Sequence, residues 1–190
     1  MLEELSNIYM EEGLKSLYKR KLTTAKADFQ KAVYINDNNW QAKNLQGLCL
    51  YTIGEFDGAL SLWEKSIKIN SEDDNRAHFY IGSMKEKEFK LLCEVYNEAF
   101  KEVKEGSLKK TEKLLRNGDF DNCKIIPFMN FKGLCMLGVG KRSEAITIWK
   151  KVLLIDKENE EAHNYIVNCL DKKYENNFLY NIMGRILNKS

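Results

Sequence analysis

The sequence predicts an all-α fold, an α-solenoid of stacked antiparallel helix hairpins. Three observations carry this. A spacing of glycine, alanine and aromatic residues recurs at three places along the chain. Helix-breaking residues are scarce, with one proline (Pro127) and 11 glycines among 190 residues, which suits long helices joined by short turns. Two stretches, 45–89 and 131–174, read as copies of one block.

The spacing starts from a glycine. From Gly13 it reaches Ala25, Phe29 and Ala32, and from Gly47 it reaches Ala59, Trp63 and Ser66. From Gly133 the same steps reach Ala145, Trp149 and Val152. The first two starts lie 34 residues apart. The glycine stands midway along a first helix, where a side chain would hold the second helix away. Alanine, aromatic and small residue follow at i, i+4 and i+7, which is one face of that second helix. Between them "TIGEFDGA" reads as a turn: Gly54 can take the left-handed conformation that ends a helix, and the next helix starts around Phe56–Gly58. "INDNN" (35–39) and "INSEDDN" (69–75) are polar connections between hairpins.

The copied block shows in "LQGLCLYTIG" (45–54), which returns as "FKGLCMLGVG" (131–140). "AHFYI" (77–81) returns as "AHNYI" (162–166), and "KEKEF" (85–89) lies where "LDKKY" (170–174) does. The offset of 86 drops to 85 through a one-residue slip near 74.

This pattern resembles the tetratricopeptide repeat, a helix-turn-helix unit with a small residue, an alanine, an aromatic and another small residue at this spacing. The resemblance covers 6–39, 40–73 and 126–159. Two departures stand out: the proline usual between repeats is Asp37, Ser71 and Lys157, and the early tryptophan is missing. The resemblance implies about five repeats, three clear and the others degenerate. Residues 74–106 keep Gly82, then Leu92, Tyr96 and Ala99 at a shortened spacing, and 107–122 read as a short helix and a turn. Two similar halves are expected. Residues 1–91 hold repeats 6–39 and 40–73 with the first helix of a third. Residues 92–190 hold a degenerate 92–125, the clear 126–159 and capping helices over 160–189. Stacked repeats bury their apolar faces on neighbours, so an elongated fold is expected.

Composition narrows the function classes. A formal charge of +2 gives no reason to expect nucleic acid or an anionic membrane as partner. "MLEELSNIYMEEG" lacks the basic and apolar segments of a signal peptide, and no apolar run approaches the ~20 residues of a membrane span. Five cysteines with no C-x-x-C pair fit a reducing cytoplasm. Richness in Asn, Ile and Lys resembles products of AT-rich bacterial genomes.

Candidate chemistry is sparse. Cys49 and Cys135, beside the crossing glycines, read as small buried hydrophobes, since a nucleophilic thiol needs a base and an electropositive, open setting. His78 and His163 repeat each other, and no H-x-x-x-H, HExxH or Cys/His cluster accompanies them, so no metal is expected. "GVGKRSEA" (138–145) fails the phosphate-loop pattern because Arg142 follows Lys141. "KSLYKRK" (15–21) reads either as a basic patch for an acidic partner or as cations gathered at a helix C-terminus. No cofactor and no enzyme activity are expected, because no nucleophile, base and orienting group can be drawn together.

The resemblance implies a concave groove lined by first helices, three residues before and one, four and five after each crossing glycine. That gives Met10, Leu14, Leu17 and Tyr18 in the first repeat, and Asn44, Leu48, Tyr51 and Thr52 in the second. The third gives Phe79, Ser83, Glu86 and Lys87, while Asn130, Leu134 and Leu137 continue the stripe in the second half. Family members that clamp the C-terminal tail of heat-shock chaperones use Lys and Asn there. Met10 and Leu14 cannot donate, so that ligand class is rejected. Two functions remain open. One is a protein–protein interaction scaffold holding a peptide or helix on this apolar stripe, with Asn44 and Asn130 bonding its backbone. The other is a self-associating module, possible as a homodimer, in which a helix over 175–189 with Phe178, Ile182 and Ile186 near one face docks on a neighbour.

Overall fold

The structure is a computed structural model and describes residues 1–117 and 122–170. The 175–189 helix expected above lies outside the described residues. Among these residues there are ten helices and no strand, as the sequence predicts. They fall into two compact units. The first comprises Met1–Phe89 with Ile155–Glu158, and the second comprises Lys90–Leu154 with the chain from Asn159 onward.

The first unit contains α1 (Leu2–Tyr18), α2 (Leu22–Ile35), α3 (Trp40–Thr52), α4 (Phe56–Ile69) and α5 (Ala77–Lys85). Each of α1 to α4 packs on the next, and α5 packs on α4. The crossing glycines do what their spacing requires. A Cβ on Gly13 would stand 2.5 Å from Phe29 Cε1, and one on Gly47 would stand 2.8 Å from Trp63 Cδ1. Phe29, Trp63, Ala25 and Ala59 are fully buried around those crossings.

Helix α6 (Lys87–Lys104) belongs to the second unit from Lys90 on, followed by α7 (Leu108–Asn117), α8 (Ile126–Gly138), α9 (Arg142–Ile155, in this unit up to Leu154) and α10 (Glu160–Leu170). Gly133 meets Trp149 as Gly47 meets Trp63, with the Cβ position 2.6 Å from Trp149 Cε2. Trp149 stacks at a tilt on Tyr165 of α10 with centroids 5.2 Å apart, repeating Trp63 on Tyr80 of α5 at 5.2 Å.

Four hairpins close through one turn geometry. Gly54, Gly106 and Gly140 have φ of 85°, 77° and 80°, the left-handed region open to glycine. At each, the next N–H reaches back to a carbonyl in the helix it leaves: Glu55 to Leu50, Ser107 to Glu102, Lys141 to Met136, at 2.8–2.9 Å. The first hairpin does the same through Lys21 N–H to Ser16 O at 2.9 Å, but there the left-handed residue is Arg20 with φ 60°.

This turn corrects the register expected for the degenerate stretch. Gly82 was expected to act as a crossing glycine, yet a Cβ on it would meet nothing within 4 Å. Counting from Gly106 instead, Ala99 stands where Gly13, Gly47 and Gly133 stand, seven residues before the turn. Thr111 and Leu115 then take the places of the alanine and the aromatic, and Ala99, Thr111 and Leu115 are all fully buried. A smaller Leu115 leaves room for the Cβ of Ala99, which is why no glycine is needed.

Asparagines close the connections between repeats. Asn39 Oδ1 accepts from Ala42 N at 2.9 Å, Asn75 Oδ1 from Ala77 N at 3.0 Å, and Asn159 Oδ1 from Ala162 N at 2.9 Å. Each closes the start of the next first helix, where an orphan N–H otherwise faces no acceptor. Asn75 is buried and also donates to Ser66 Oγ at 3.1 Å, tying the end of α4 to the start of α5.

Helix α2 begins without an acceptor of its own, since its cap position is Lys21. The need is met from residues 155–158. Asp156 accepts from Leu22 N–H (3.1 Å) and from Thr23 Oγ1 (2.8 Å). Glu158 accepts from Thr24 N–H (3.1 Å) and from Thr24 Oγ1 (2.6 Å), with Lys21 Nζ 3.2 Å away.

Candidate functional site

The residues expected to line a groove separate into three groups. On α1, Leu14 and Tyr18 project to solvent at 43% and 92% exposure, and Met10 and Leu17 are half-buried beside them. Leu14 and Tyr18 are four residues apart and share one face. On α5, Phe79 is 70% exposed, with Ser83 Oγ bonded back to its carbonyl at 3.0 Å. Leu14, Tyr18 and Phe79 are thus exposed apolar residues of the first unit.

Leu48 and Tyr51 are half-buried and pack on the Ala59–Trp63–Ala77 core. Tyr51 lies 5.6 Å from Phe56 and 5.7 Å from Phe89 between ring centroids, and Phe56 meets Phe89 edge-on at 5.2 Å. Tyr51 therefore belongs to an aromatic cluster of the first unit. Its spacing suited a groove, but a large ring four residues past the crossing is drawn to the neighbouring aromatics instead.

The expected stripe in the second unit is corrected. Asn130, Leu134 and Leu137 are 3%, 2% and 7% exposed, so they present no open surface. Residues 128–137 of α8 are all buried, which removes any solvent-facing side for a stripe to occupy. Apolar residues flank both sides of this helix, "IPFMNF" before and "LCMLG" after the crossing, and that density was the available signal.

The two asparagines also have structural duties. Asn44 is buried, donates Nδ2 to Asn75 Oδ1 at 2.8 Å, and accepts the Trp63 indole N–H on its carbonyl at 3.2 Å. Asn130 donates to Glu161 Oε2 at 3.0 Å and accepts the Trp149 indole N–H at 3.4 Å. Each thus holds the aromatic of its own hairpin and reaches toward the next first helix. Their Oδ1 atoms are buried without a protein partner.

Burial pushes the thiols of Cys49 and Cys135 up to about 12, so both are protonated at neutral pH and pack as small hydrophobes. Among the described residues no group of three or more His, Cys, Asp or Glu could hold a metal ion. The "KSLYKRK" cations are partly committed: Lys15 pairs with Glu12 at 2.7 Å and Lys21 with Glu158. Among the described residues no helix is long and apolar enough to cross a membrane.

No family model and no curated protein matches the chain. Several solved structures are similar to it at low identity. A crystal structure of the P58(IPK) TPR domain is 15% identical over 95% of this chain and 49% of its own, with a TM-score of 0.46. The chain thus spans about half the length of that structure. PilF of Pseudomonas aeruginosa is 15% identical over 98% of this chain and 76% of its own, at 0.37. A tetratricopeptide repeat protein from Parabacteroides merdae is 12% identical over 97% and 68%, at 0.38. The class is defined by the hairpins themselves: glycine crossings against buried aromatics, left-handed turns and the 34-residue step. The fold is of the tetratricopeptide type.

Proposed function

We propose that the chain is a non-enzymatic protein–protein interaction scaffold whose first unit holds a peptide or helix of another protein on the first-helix face. The observation that supports this is the exposure of Leu14 and Tyr18 on α1 and of Phe79 on α5, with Met10, Leu17 and Leu48 half-buried. Large exposed aromatics on a folded surface favour protein partners, because their burial supplies affinity at little entropic cost. Asn44 and Asn130 are buried and donate their side-chain N–H groups within the fold, so this reading rests on the apolar residues. A chaperone tail is not the ligand, for Met10 and Leu14 lack donors. The reading carries no cofactor, no metal, no nucleic acid and no membrane, and places the protein in the cytoplasm.

The test compares proteins captured by the wild-type chain with those captured by a Leu14→Ser/Tyr18→Ser variant of unchanged helicity. Loss of a specific partner from the variant supports the reading. Equal capture by both refutes it.

The second reading is self-association. It is favoured by Leu2, Leu5 and Ile8, exposed at 62%, 41% and 55% in the first half of α1. Sedimentation over a concentration range with wild type and a Leu5→Glu/Ile8→Glu variant separates the two: a dimer that the variant abolishes supports self-association.

A further inference from the structure

Three crossing glycines each face an aromatic sixteen residues on: Gly13 faces Phe29, Gly47 faces Trp63 and Gly133 faces Trp149. Gly82 of α5 is different. Sixteen residues beyond it stands Glu98 of α6, and among the described residues its Cβ position meets nothing within 4 Å. The other side of α5 is the packed one, where Ala77, Tyr80 and Met84 join the Ala59–Trp63 core. Phe79 and Gly82 are both exposed and, three residues apart, share one face. A first helix thus presents its crossing face uncovered, with a notch at the glycine. The first helix of the same unit presents the opposite relief. Met1, Leu5 and Ile8 of α1 and its cap fall at i, i+4 and i+7 on one stripe, and all three are exposed. The same helix starts with exposed Glu3 and Glu4 and ends in exposed Lys15, Lys19 and Arg20.

We propose that α1 of a second copy of this chain packs antiparallel on α5, with Leu5 of the second copy seated over Gly82 and its Ile8 against Phe79. This rests on the self-association reading above and gives it two different faces. Charge complementarity sets the direction. The loop before α5 carries exposed Glu72, Asp73 and Asp74 against Arg76 alone, so it is net acidic. Antiparallel packing lays the basic end of α1 on that loop. The mixed charges Lys85, Glu86 and Lys87 at the other end admit Glu4 beside Lys85. Parallel packing would instead set Glu3 and Glu4 against Asp73 and Asp74, like against like. The lengths agree: Leu5 and Lys15 stand ten residues apart on α1, and Gly82 and Asp73 nine apart. At about 1.5 Å per helical residue, the apolar and the charged contacts form together. Because the two faces differ, the contact is heterologous, and copies add head to tail until a ring closes or a chain extends.

The test is sedimentation of the full chain over a concentration range, with far-UV circular dichroism alongside. Wild type is expected to gain mean mass with concentration, and less so at high salt. Leu5→Glu/Ile8→Glu spoils one face and Phe79→Glu/Gly82→Glu the other, so each variant alone stays monomeric with its helicity unchanged. Mixed in equal amounts, the two form a dimer of one each and nothing larger, since one intact pair of faces remains. A surface pair repeats the logic without touching apolar residues. Asp73→Lys/Asp74→Lys should assemble poorly alone and regain assembly when mixed with Lys15→Asp/Lys19→Asp. Mixtures that stay monomeric in both pairs overturn the proposal. So does a Phe79→Glu/Gly82→Glu chain that assembles like wild type, although self-association itself then stands. Wild type that stays monomeric throughout overturns both, and leaves the α5 face to a helix of another protein.

Discussion

Replacing Gly47 with Ala puts a methyl group against the indole of Trp63. The added Cβ would lie 2.8 Å from Cδ1 and 2.9 Å from Cε2, with Nε1 nearer still. The indole cannot step aside freely, because it is 1% exposed and its N–H is bonded to Asn44 O at 3.2 Å. Overpacking of this kind costs about 1–3 kcal/mol, and loss of the indole bond adds about 1 kcal/mol. Alanine returns up to about 1 kcal/mol of helix propensity. The net expectation is destabilisation by about 1–3 kcal/mol. Gly82→Ala in α5 is the matched control. Its Cβ meets nothing within 4 Å, so only the propensity gain remains and the variant should be more stable than wild type. Urea unfolding followed by circular dichroism and by indole fluorescence measures both variants, and agreement of the two probes validates the comparison. A Gly47→Ala protein as stable as wild type would refute the close-crossing argument. So would a Gly82→Ala protein that loses as much stability as Gly47→Ala.

Two further outcomes follow from the same geometry. Arg20→Gly should stabilise the chain by about 0.5–1 kcal/mol in urea unfolding, since a left-handed residue with a Cβ is strained where the three sister turns use glycine. Leu115→Ala should cost about 2–5 kcal/mol by the same measure, because Leu115 fills the aromatic's place in the degenerate hairpin and is fully buried.

Much of the fold was legible along the chain because it rests on local spacing. A crossing glycine, the alanine twelve residues on and the aromatic four beyond that interact within one hairpin, so their pattern survives as text. The degenerate repeat departs from the pattern because Ala99 stands in the place of its glycine and Leu115 in that of its aromatic. The turn at Gly106 marks the register, and the more conspicuous Gly82 does not. The exposure of first-helix residues was legible only in part. Leu14 and Tyr18 are open, whereas Tyr51 is drawn into an aromatic cluster and Leu134 and Leu137 are buried.

The sequence by itself determined the helices, the hairpins and the step between them, since each depends on residues within a few turns of one another. Tertiary structure alone decided which first-helix residues stay exposed, because burial depends on what packs against a helix as well as on its own periodicity. It also decided what caps the start of α2. Thr23 and Thr24 look like ordinary surface residues in the chain, and Asp156 and Glu158 look like ordinary loop acids. Only folding brings those carboxylates to the uncapped amides of α2, where a helix start without an acceptor of its own takes one from far along the sequence.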